Sequence, residues 1–169
     1  SAITGVPNMC VGAMTTLSDA TIGGTWVSDL PTIASVNMMT GDVTGWTAGT
    51  ALISYVLPTG CFVSQPVTVH ALPPAILGSP NVCQGSTITL TNPATGGTWM
   101  SSNPGYGTIG ATSGMLTGIA PGATTIIYTL GTGCATSTNV VIDQLPTPIT
   151  GPTNICITTS TTLFNGLPG

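Results

Sequence analysis

The sequence repeats itself at a fixed spacing, and this repetition constrains the fold more than any other feature of the chain. Cys10, Cys83 and Cys156 are equally spaced, and the run "GGTW" begins at Gly23 and again, one period later, at Gly96. Self-similarity at a fixed spacing is the signature of repeated structural units. We therefore divide the chain into a first repeat, residues 1–73, a second repeat, residues 74–146, and a third-repeat segment, residues 147–169.

Each repeat is predicted to be all β. Runs such as "TALISYVL" from Thr50 and "TTIIYTL" from Thr124 are rich in Val, Ile, Thr and Tyr and are separated by turns that contain Gly or Pro. This pattern is typical of strands, and about six or seven of them in each repeat predict a small β-sandwich. Because the junctions "HALPPAILGSP" and "DQLPTPITGP" are rich in Pro, we expect short, stiff linkers and a row of sandwiches joined end to end. The third-repeat segment is expected to supply the first strands of an incomplete sandwich.

The composition excludes several kinds of partner. The chain has no Lys or Arg, and nucleic-acid binding and polybasic membrane attachment both depend on these residues. No apolar stretch approaches the roughly 20 residues that a membrane-spanning helix needs, so direct membrane insertion is not expected. Since salt bridges with Lys or Arg are impossible, stability must come from apolar burial, strand hydrogen bonds and the cysteines.

Four cysteines are predicted to form two disulfides, each within one repeat. Cys10 and Cys61 are 51 residues apart, as are Cys83 and Cys134. Each bond would join the opening segment of a repeat to the turn before its last strand, and closing such a loop would stabilise the fold by about 4 kcal/mol. Zinc is the alternative, but two Cys per repeat with no nearby Cys or His make a poor site. Disulfides would indicate an oxidising compartment outside the cytoplasm.

The fifth cysteine, Cys156, occupies the position of Cys10 and Cys83 in the third-repeat segment. Its expected partner would lie 51 residues further on, a position that the sequence does not reach. We therefore predict that Cys156 is unpaired or bonded to a neighbouring molecule. An odd cysteine of this kind also suggests an excerpt of a longer array of repeats.

The sequence offers no candidate catalytic, cofactor-binding or metal-binding residue. The one histidine, His70, is replaced by Asp143 in the second repeat, so no Ser-His-Asp arrangement recurs. The four Asp are scattered, without the pairing that acid–base catalysis uses or the clustering that calcium sites use. We predict that the chain is not an enzyme. Calcium held by backbone carbonyls at a repeat junction stays an open alternative.

Tryptophan occurs in two settings. Trp26 and Trp99 recur in register and are predicted to be core residues. Trp46 has no aromatic counterpart in the second repeat, and exposed aromatic side chains often contact sugars or proteins. We therefore select Trp46 as the candidate ligand contact, with Met38 and Met39 extending an apolar patch. The alternative is ordinary variation between repeats at a partly buried turn.

The runs that begin at Trp26 and Trp99 resemble the group 2 bacterial immunoglobulin-like domains. The resemblance rests on "SSNP" at Ser101, "GDVTG" at Gly41 and "AGTALISY" at Ala48, although the first repeat departs from it with "SDLP". The elements "CVG", "TTLSDATIGGTW" and "TGC" look like the cysteine-bearing version found in tandem arrays of giant Bacteroidota surface proteins. Such proteins are commonly exported by the type IX secretion system and include gliding-motility adhesins. The resemblance implies tandem immunoglobulin-like β-sandwiches on a bacterial cell surface.

These observations favour an extracellular structural or adhesive segment, a stalk or filament cross-linked by disulfides. Its partners would be neighbouring repeats of the same chain. Two alternatives stay open. One is a self-assembling filament subunit whose third-repeat segment adds strands to a copy of itself. The other is a carbohydrate- or protein-binding module around Trp46.

Overall fold

The computed structural model describes residues 2–166, and within them the chain is all β. No helix in this span is long and apolar enough to cross a membrane. Contacts divide the chain into two compact units that do not coincide with the sequence repeats. The first unit runs to Ile76 and also contains Asn92–Thr98 and Ile127–Ser137; the second contains Leu77–Thr91, Trp99–Ile126 and the residues from Thr138 onward.

Each repeat has seven strands, in agreement with the sequence pattern, and every strand of the second repeat begins one full period after its counterpart in the first. The strands of the first repeat are β1 Asn8–Cys10, β2 Met14–Thr16, β3 Thr25–Ser28, β4 Ala34–Val36, β5 Asp42–Gly45, β6 Gly49–Val56 and β7 Phe62–His70. Those of the second repeat are β8 Asn81–Cys83, β9 Thr87–Thr89, β10 Thr98–Ser101, β11 Gly107–Ile109, β12 Met115–Gly118, β13 Gly122–Thr129 and β14 Ala135–Asp143.

Each repeat forms a four-stranded and a three-stranded sheet. In the first repeat the strand orders are β1-β7-β6-β3 and β2-β5-β4, and the second repeat reproduces both orders. The pairs β6–β7, β3–β6, β2–β5 and β4–β5 are antiparallel, whereas β1 runs parallel to β7. This parallel pair sets Cys10 beside His70 at the end of the last strand.

The core of each repeat follows from the alternation along its strands. In β6 the side chains of Ala51, Ile53 and Tyr55 are buried, because every second residue of a strand faces the same side of the sheet. Trp26 packs against Tyr55, with ring centroids 4.8 Å apart. Trp99 is also buried, so the prediction that both recurring tryptophans are core residues is confirmed.

The third-repeat segment contains one bridge, between Thr150 and Phe164, among its described residues. Bridges at the same repeat positions join Thr4 to Ser18 and Leu77 to Thr91. The segment therefore repeats the first local pairing of each sandwich. All of its described residues are exposed.

Gly41 lies where the chain has no room for a side chain. Its φ of 76° suits glycine, and an added Cβ would collide with the Leu17 carbonyl oxygen and the Trp26 indole. Gly60 has a similar φ of 85°, but nothing lies within 4 Å of an added Cβ. Both alanine variants would carry the strain of a left-handed backbone, about 1–2 kcal/mol.

We expect Gly41→Ala to lower the free energy of unfolding by about 1–3 kcal/mol more than Gly60→Ala, because only the first overpacks the core. Guanidinium denaturation of the two oxidised variants measures this difference. Equal losses would contradict the packing described around Gly41.

Candidate functional site

A disulfide joins Cys10 of the first repeat to Cys134 of the second repeat. The two Cα atoms are 5.6 Å apart, and 124 residues separate the cysteines in sequence. Cys134 is fully buried, at 0% exposure. Both cysteines belong to the first unit.

The predicted bond between Cys10 and Cys61 is wrong, because the two cysteines lie at opposite ends of the last strand. Cys10 lies beside His70, the last residue of β7, whereas Cys61 immediately precedes Phe62, the first residue of that strand. Nine residues of extended chain span about 30 Å. The Cα atoms of bonded cysteines are typically less than about 7 Å apart, so no bond can form within the first repeat.

The predicted bond between Cys83 and Cys134 is wrong for the same reason. Cys83 lies beside Asp143 at the end of β14, and Cys134 immediately precedes Ala135 at its start. In the structure Cys61, Cys83 and Cys156 are free and exposed. The bond does join an opening-strand cysteine, Cys10, to a cysteine that precedes a last strand, as the sequence suggested. However, that cysteine, Cys134, belongs to the next repeat and not to the same one.

Backbone and side-chain contacts position the disulfide. The Val11 amide donates to the His70 carbonyl oxygen over 3.0 Å, and the same oxygen lies 3.9 Å from the Cys134 sulfur. The Asn92 side-chain amide donates to the Pro74 carbonyl oxygen over 2.7 Å. The opening strand, the end of the last strand and the junction of the first repeat therefore meet parts of the second repeat within the first unit.

Hydrogen bonds hold the loop that contains Asn92 in place. The Asn92 carboxamide oxygen accepts from the Ala94 amide over 2.9 Å. The Tyr128 hydroxyl donates to the Ala94 carbonyl oxygen over 2.7 Å and accepts from the Gly97 amide over 2.9 Å. Tyr55 makes the equivalent bonds to Thr21 and Gly24 in the first repeat. Asn92 and Pro74 were not selected from the sequence: Asp19 stands in place of Asn92 in the first repeat and Thr147 in place of Pro74 at the next junction, so this pair gives no repeat signal.

The candidate ligand contact Trp46 is 57% exposed, and its indole N–H donates to the Ser35 hydroxyl over 2.9 Å. Met38 and Met39 are also exposed, in the turn between β4 and β5, whereas Trp46 follows the other end of β5. A groove of the first unit is lined by Met39, Trp26 and nine further residues, and Trp46 is not among them. The structure therefore does not bring Trp46 and the two methionines together in one groove.

The acidic and histidine side chains form no common site. Among the described residues there is no group of three or more His, Cys, Asp or Glu side chains that could hold a metal ion. Asp29 accepts from the Leu52 amide over 2.7 Å, which fixes the "SDLP" turn against β6. His70 is partly buried at the end of β7. The chemistry that the described residues support is covalent cross-linking through cysteine.

Asp42 has a lowered pKa. The Thr40 hydroxyl donates to one carboxylate oxygen over 2.6 Å and the Thr16 hydroxyl to the other over 2.7 Å, and these bonds hold the pKa of the Asp42 carboxyl below its ordinary value. A carboxyl with a lowered folded-state pKa stabilises the fold above its unfolded-state pKa, and this contribution disappears as the pH falls through the folded-state pKa.

We therefore expect Asp42→Asn to lower the melting temperature by a constant amount above about pH 5 and by progressively less below about pH 4. Thermal melts of both proteins between pH 2 and pH 7 measure this. A difference that stays the same down to pH 2 would contradict the assignment.

No protein-family profile and no curated protein sequence matches the chain. Solved structures do match. A C-terminal 282-residue fragment of intimin, in complex with the intimin-binding domain of the translocated intimin receptor, shares 15% identity at a TM-score of 0.54. The match covers 86% of this chain and 66% of the intimin fragment, slightly less than two thirds.

Two further matches have lower structural similarity. Domains 4 and 5 of the S-layer protein SbsC share 22% identity at a TM-score of 0.32, over 78% of this chain and 82% of that one. Drosophila N-cadherin EC1-4 shares 13% identity at a TM-score of 0.35, over 82% and 47%. The strand topology and the intimin match establish the fold: the chain is all β and consists of tandem immunoglobulin-like β-sandwich repeats.

Proposed function

We propose that the chain is an extracellular structural or adhesive repeat segment, a stalk or filament of a bacterial cell-surface protein, and that it has no catalytic activity. The observation that carries this proposal is the Cys10–Cys134 disulfide, which joins the opening strand of one repeat to the next repeat. This bond makes successive repeats covalently continuous. It has a direct consequence for a chain under tension.

Tension applied to the two ends of the chain would pass along the backbone to Cys10, cross the disulfide to Cys134, and continue from there. Residues 11–133 lie inside the loop that the bond closes. They can lose their fold without lengthening the chain while the bond is intact. A surface stalk that must hold a constant length under flow needs this property.

Separate observations support the proposed compartment and the proposed kind of protein. A disulfide persists in an oxidising environment outside the cytoplasm. The absence of Lys and Arg leaves trypsin-like proteases no cleavage site. The resemblance to cysteine-bearing arrays of Bacteroidota supports a type IX-secreted surface protein, of the kind that includes gliding-motility adhesins. The intimin fragment of similar fold was solved in complex with a receptor domain, which fits a role in adhesion.

A spacer experiment tests the stalk function. The oxidised chain is inserted between a bead and a small binding domain, and bead attachment to a surface coated with the ligand of that domain is followed under shear. We expect the bead-to-surface distance to grow under load only by the extension of residues outside the loop with the parent chain, and to grow much further with Cys10→Ala, in which residues 11–133 extend as well. Equal lengthening of both chains would refute the stalk role.

A binding module around Trp46 is the second candidate, favoured by the exposure of its indole. Glycan and protein arrays probed with the parent chain, Trp46→Ala and Phe62→Ala separate the two functions. Phe62 is a suitable control because it is another aromatic residue with 70% exposure. Binding lost only in Trp46→Ala would establish the module; no binding by any of the three supports the stalk.

Self-assembly is the remaining alternative. The described residues of the third-repeat segment are exposed, as a strand donor would require. Light scattering of the oxidised chain decides between polymer and monomer, and a monomer is the result that the stalk proposal predicts.

A further inference from the structure

We propose that Cys83 and Cys61 are the open halves of two further disulfides of the same kind. Cys83 would bond to the turn cysteine of a repeat that follows the second one, and Cys61 to the opening-strand cysteine of a repeat that precedes the first. The partner in both cases is another repeat of this 73-residue type in the same polypeptide. The inference deepens the proposed function, on which it rests, because it makes every junction of an array covalent.

The first support is that Cys83 and Cys61 each have the local structure of a bonded cysteine. Cys83 ends β8 beside Asp143, as Cys10 ends β1 beside His70, both in parallel register. At the other half of the bond, the Cys61 carbonyl oxygen accepts from the Leu57 amide over 2.9 Å. The Cys134 carbonyl oxygen accepts from the Leu130 amide over 2.8 Å. The local structure around Cys10 is thus repeated at Cys83, and the local structure around Cys134 is repeated at Cys61.

The second support comes from burial, which differs between copies of the same position. Cys134 is fully buried beside its partner, whereas its counterpart Cys61 is exposed. Pro73, in the junction between the first two repeats, is buried, whereas Pro146, in the next junction, is exposed. Cys134 and Pro73 are therefore buried at the junction between the first two repeats. Their counterparts Cys61 and Pro146 are exposed, at the positions where a further repeat would cover them.

The surroundings of Cys61 have space for such a neighbour. Cys61 lines an open pocket of about 120 Å³ in the first unit, together with Tyr55, Leu57 and Phe62. Phe62 is 70% exposed and is a large apolar surface for the preceding repeat to cover. The pocket and the free thiol belong to the same end of the first repeat, and that end corresponds to the part of the second repeat that contains Cys134.

The chemistry of each bond is thiol oxidation. Two thiols lose two protons and two electrons and form one S–S bond, and the electrons reduce one disulfide of an oxidant to two thiols. The oxidant is a low-molecular-weight disulfide or a dithiol–disulfide oxidoreductase, which acts through a mixed disulfide with the first cysteine.

A chain with a duplicated second repeat tests the inference. Residues 74–146 are repeated directly after residue 146, with Cys83→Ala in the copy so that its own opening cysteine cannot compete. Thr136→Ser in the copy gives its turn peptide a distinct mass. The chain is oxidised with glutathione disulfide, its free thiols are alkylated, and it is digested with chymotrypsin and analysed without reduction.

We expect two linked peptide pairs, Cys10 with Cys134 and Cys83 with the turn cysteine of the copy. Alkylated Cys83, a Cys83–Cys61 bond or bonds between molecules would overturn the inference, and the proposed function would stand as long as the Cys10–Cys134 pair is found. If the Cys10–Cys134 pair is not found, both the inference and the proposed function are contradicted. A second chain that also carries Cys83→Ala in the second repeat keeps the test informative if yields are low, because the copied turn cysteine should then become alkylated.

Discussion

Pulling the oxidised chain by its two ends is expected to extend only the residues outside the loop that Cys10 and Cys134 close. The bond spans 124 residues, so roughly 400 Å of chain stays hidden at about 3.3–3.6 Å per extended residue. Adding a reductant under load should release this length once residues 11–133 have unfolded. Single-molecule force spectroscopy in the two redox states measures the released length directly.

Cysteine variants make this experiment specific. Cys10→Ala should release the whole hidden length without any reductant, and Cys61→Ala should leave the extension of the oxidised chain unchanged. Bonds within each repeat would hide two loops of 51 residues, so Cys10→Ala would release only one of them and Cys61→Ala would release the same one. Equal extension of the two variants would therefore contradict the inter-repeat bond.

Removing the disulfide is expected to lower the free energy of unfolding by about 5 kcal/mol, since the chain-entropy cost of closing a loop grows with its length. For a chain of this size, such a loss corresponds to a melting temperature lower by about 10–20 °C. Cys10→Ala and Cys134→Ala should lose similar amounts, because each removes the same bond. Cys134→Ala should be slightly worse, as it also leaves space at a fully buried position.

The matched controls are Cys61→Ala and Cys83→Ala, which replace exposed free thiols and should change the free energy by no more than about 0.5 kcal/mol. Denaturation of all four variants under oxidising conditions gives the comparison. A large loss in Cys61→Ala or Cys83→Ala would mean that these cysteines are bonded in solution.

The period and the alternating runs were sufficient to predict the fold. Strand positions depend on local chemistry: alternation in "TALISYVL" places Ala51, Ile53 and Tyr55 on one face, and the structure buries those three side chains. Because the repeats have a fixed spacing, a residue predicted to be buried in one repeat identifies the equivalent buried position in the next repeat. The core tryptophans follow by the same argument, because a large residue that recurs between the same turns packs against the same neighbours.

The cysteine pairing could not be predicted from spacing alone. Spacing says that Cys10 and Cys61 belong to one repeat, but the parallel pairing of β1 with β7 decides which end of the last strand Cys10 reaches. That pairing is a long-range contact with no local signal in the opening strand. The separation of 124 residues equals one period plus the spacing of two cysteines in a repeat, so the bond fits the repeat as well as the predicted pairs did.

The ligand-contact hypothesis met a similar limit. The sequence places Met38, Met39 and Trp46 within nine residues of one another, yet β5 runs between the methionines and the tryptophan and separates them along the hairpin. Proximity in sequence is a poor guide to a common patch wherever a strand intervenes. The exposure of Trp46 itself depends on its position after the strand end, where the indole bonds to Ser35 and not to the core.

Disulfide mapping of the 169-residue chain tests the central claim most directly. Trypsin cannot cut the chain because it has no Lys or Arg, but chymotrypsin can separate the cysteine peptides by cleavage at aromatic residues and leucines. After alkylation of free thiols and digestion without reduction, mass spectrometry should find Cys10 linked to Cys134, with Cys61, Cys83 and Cys156 alkylated. Linked pairs of Cys10 with Cys61 and Cys83 with Cys134 would contradict a covalent bond between successive repeats.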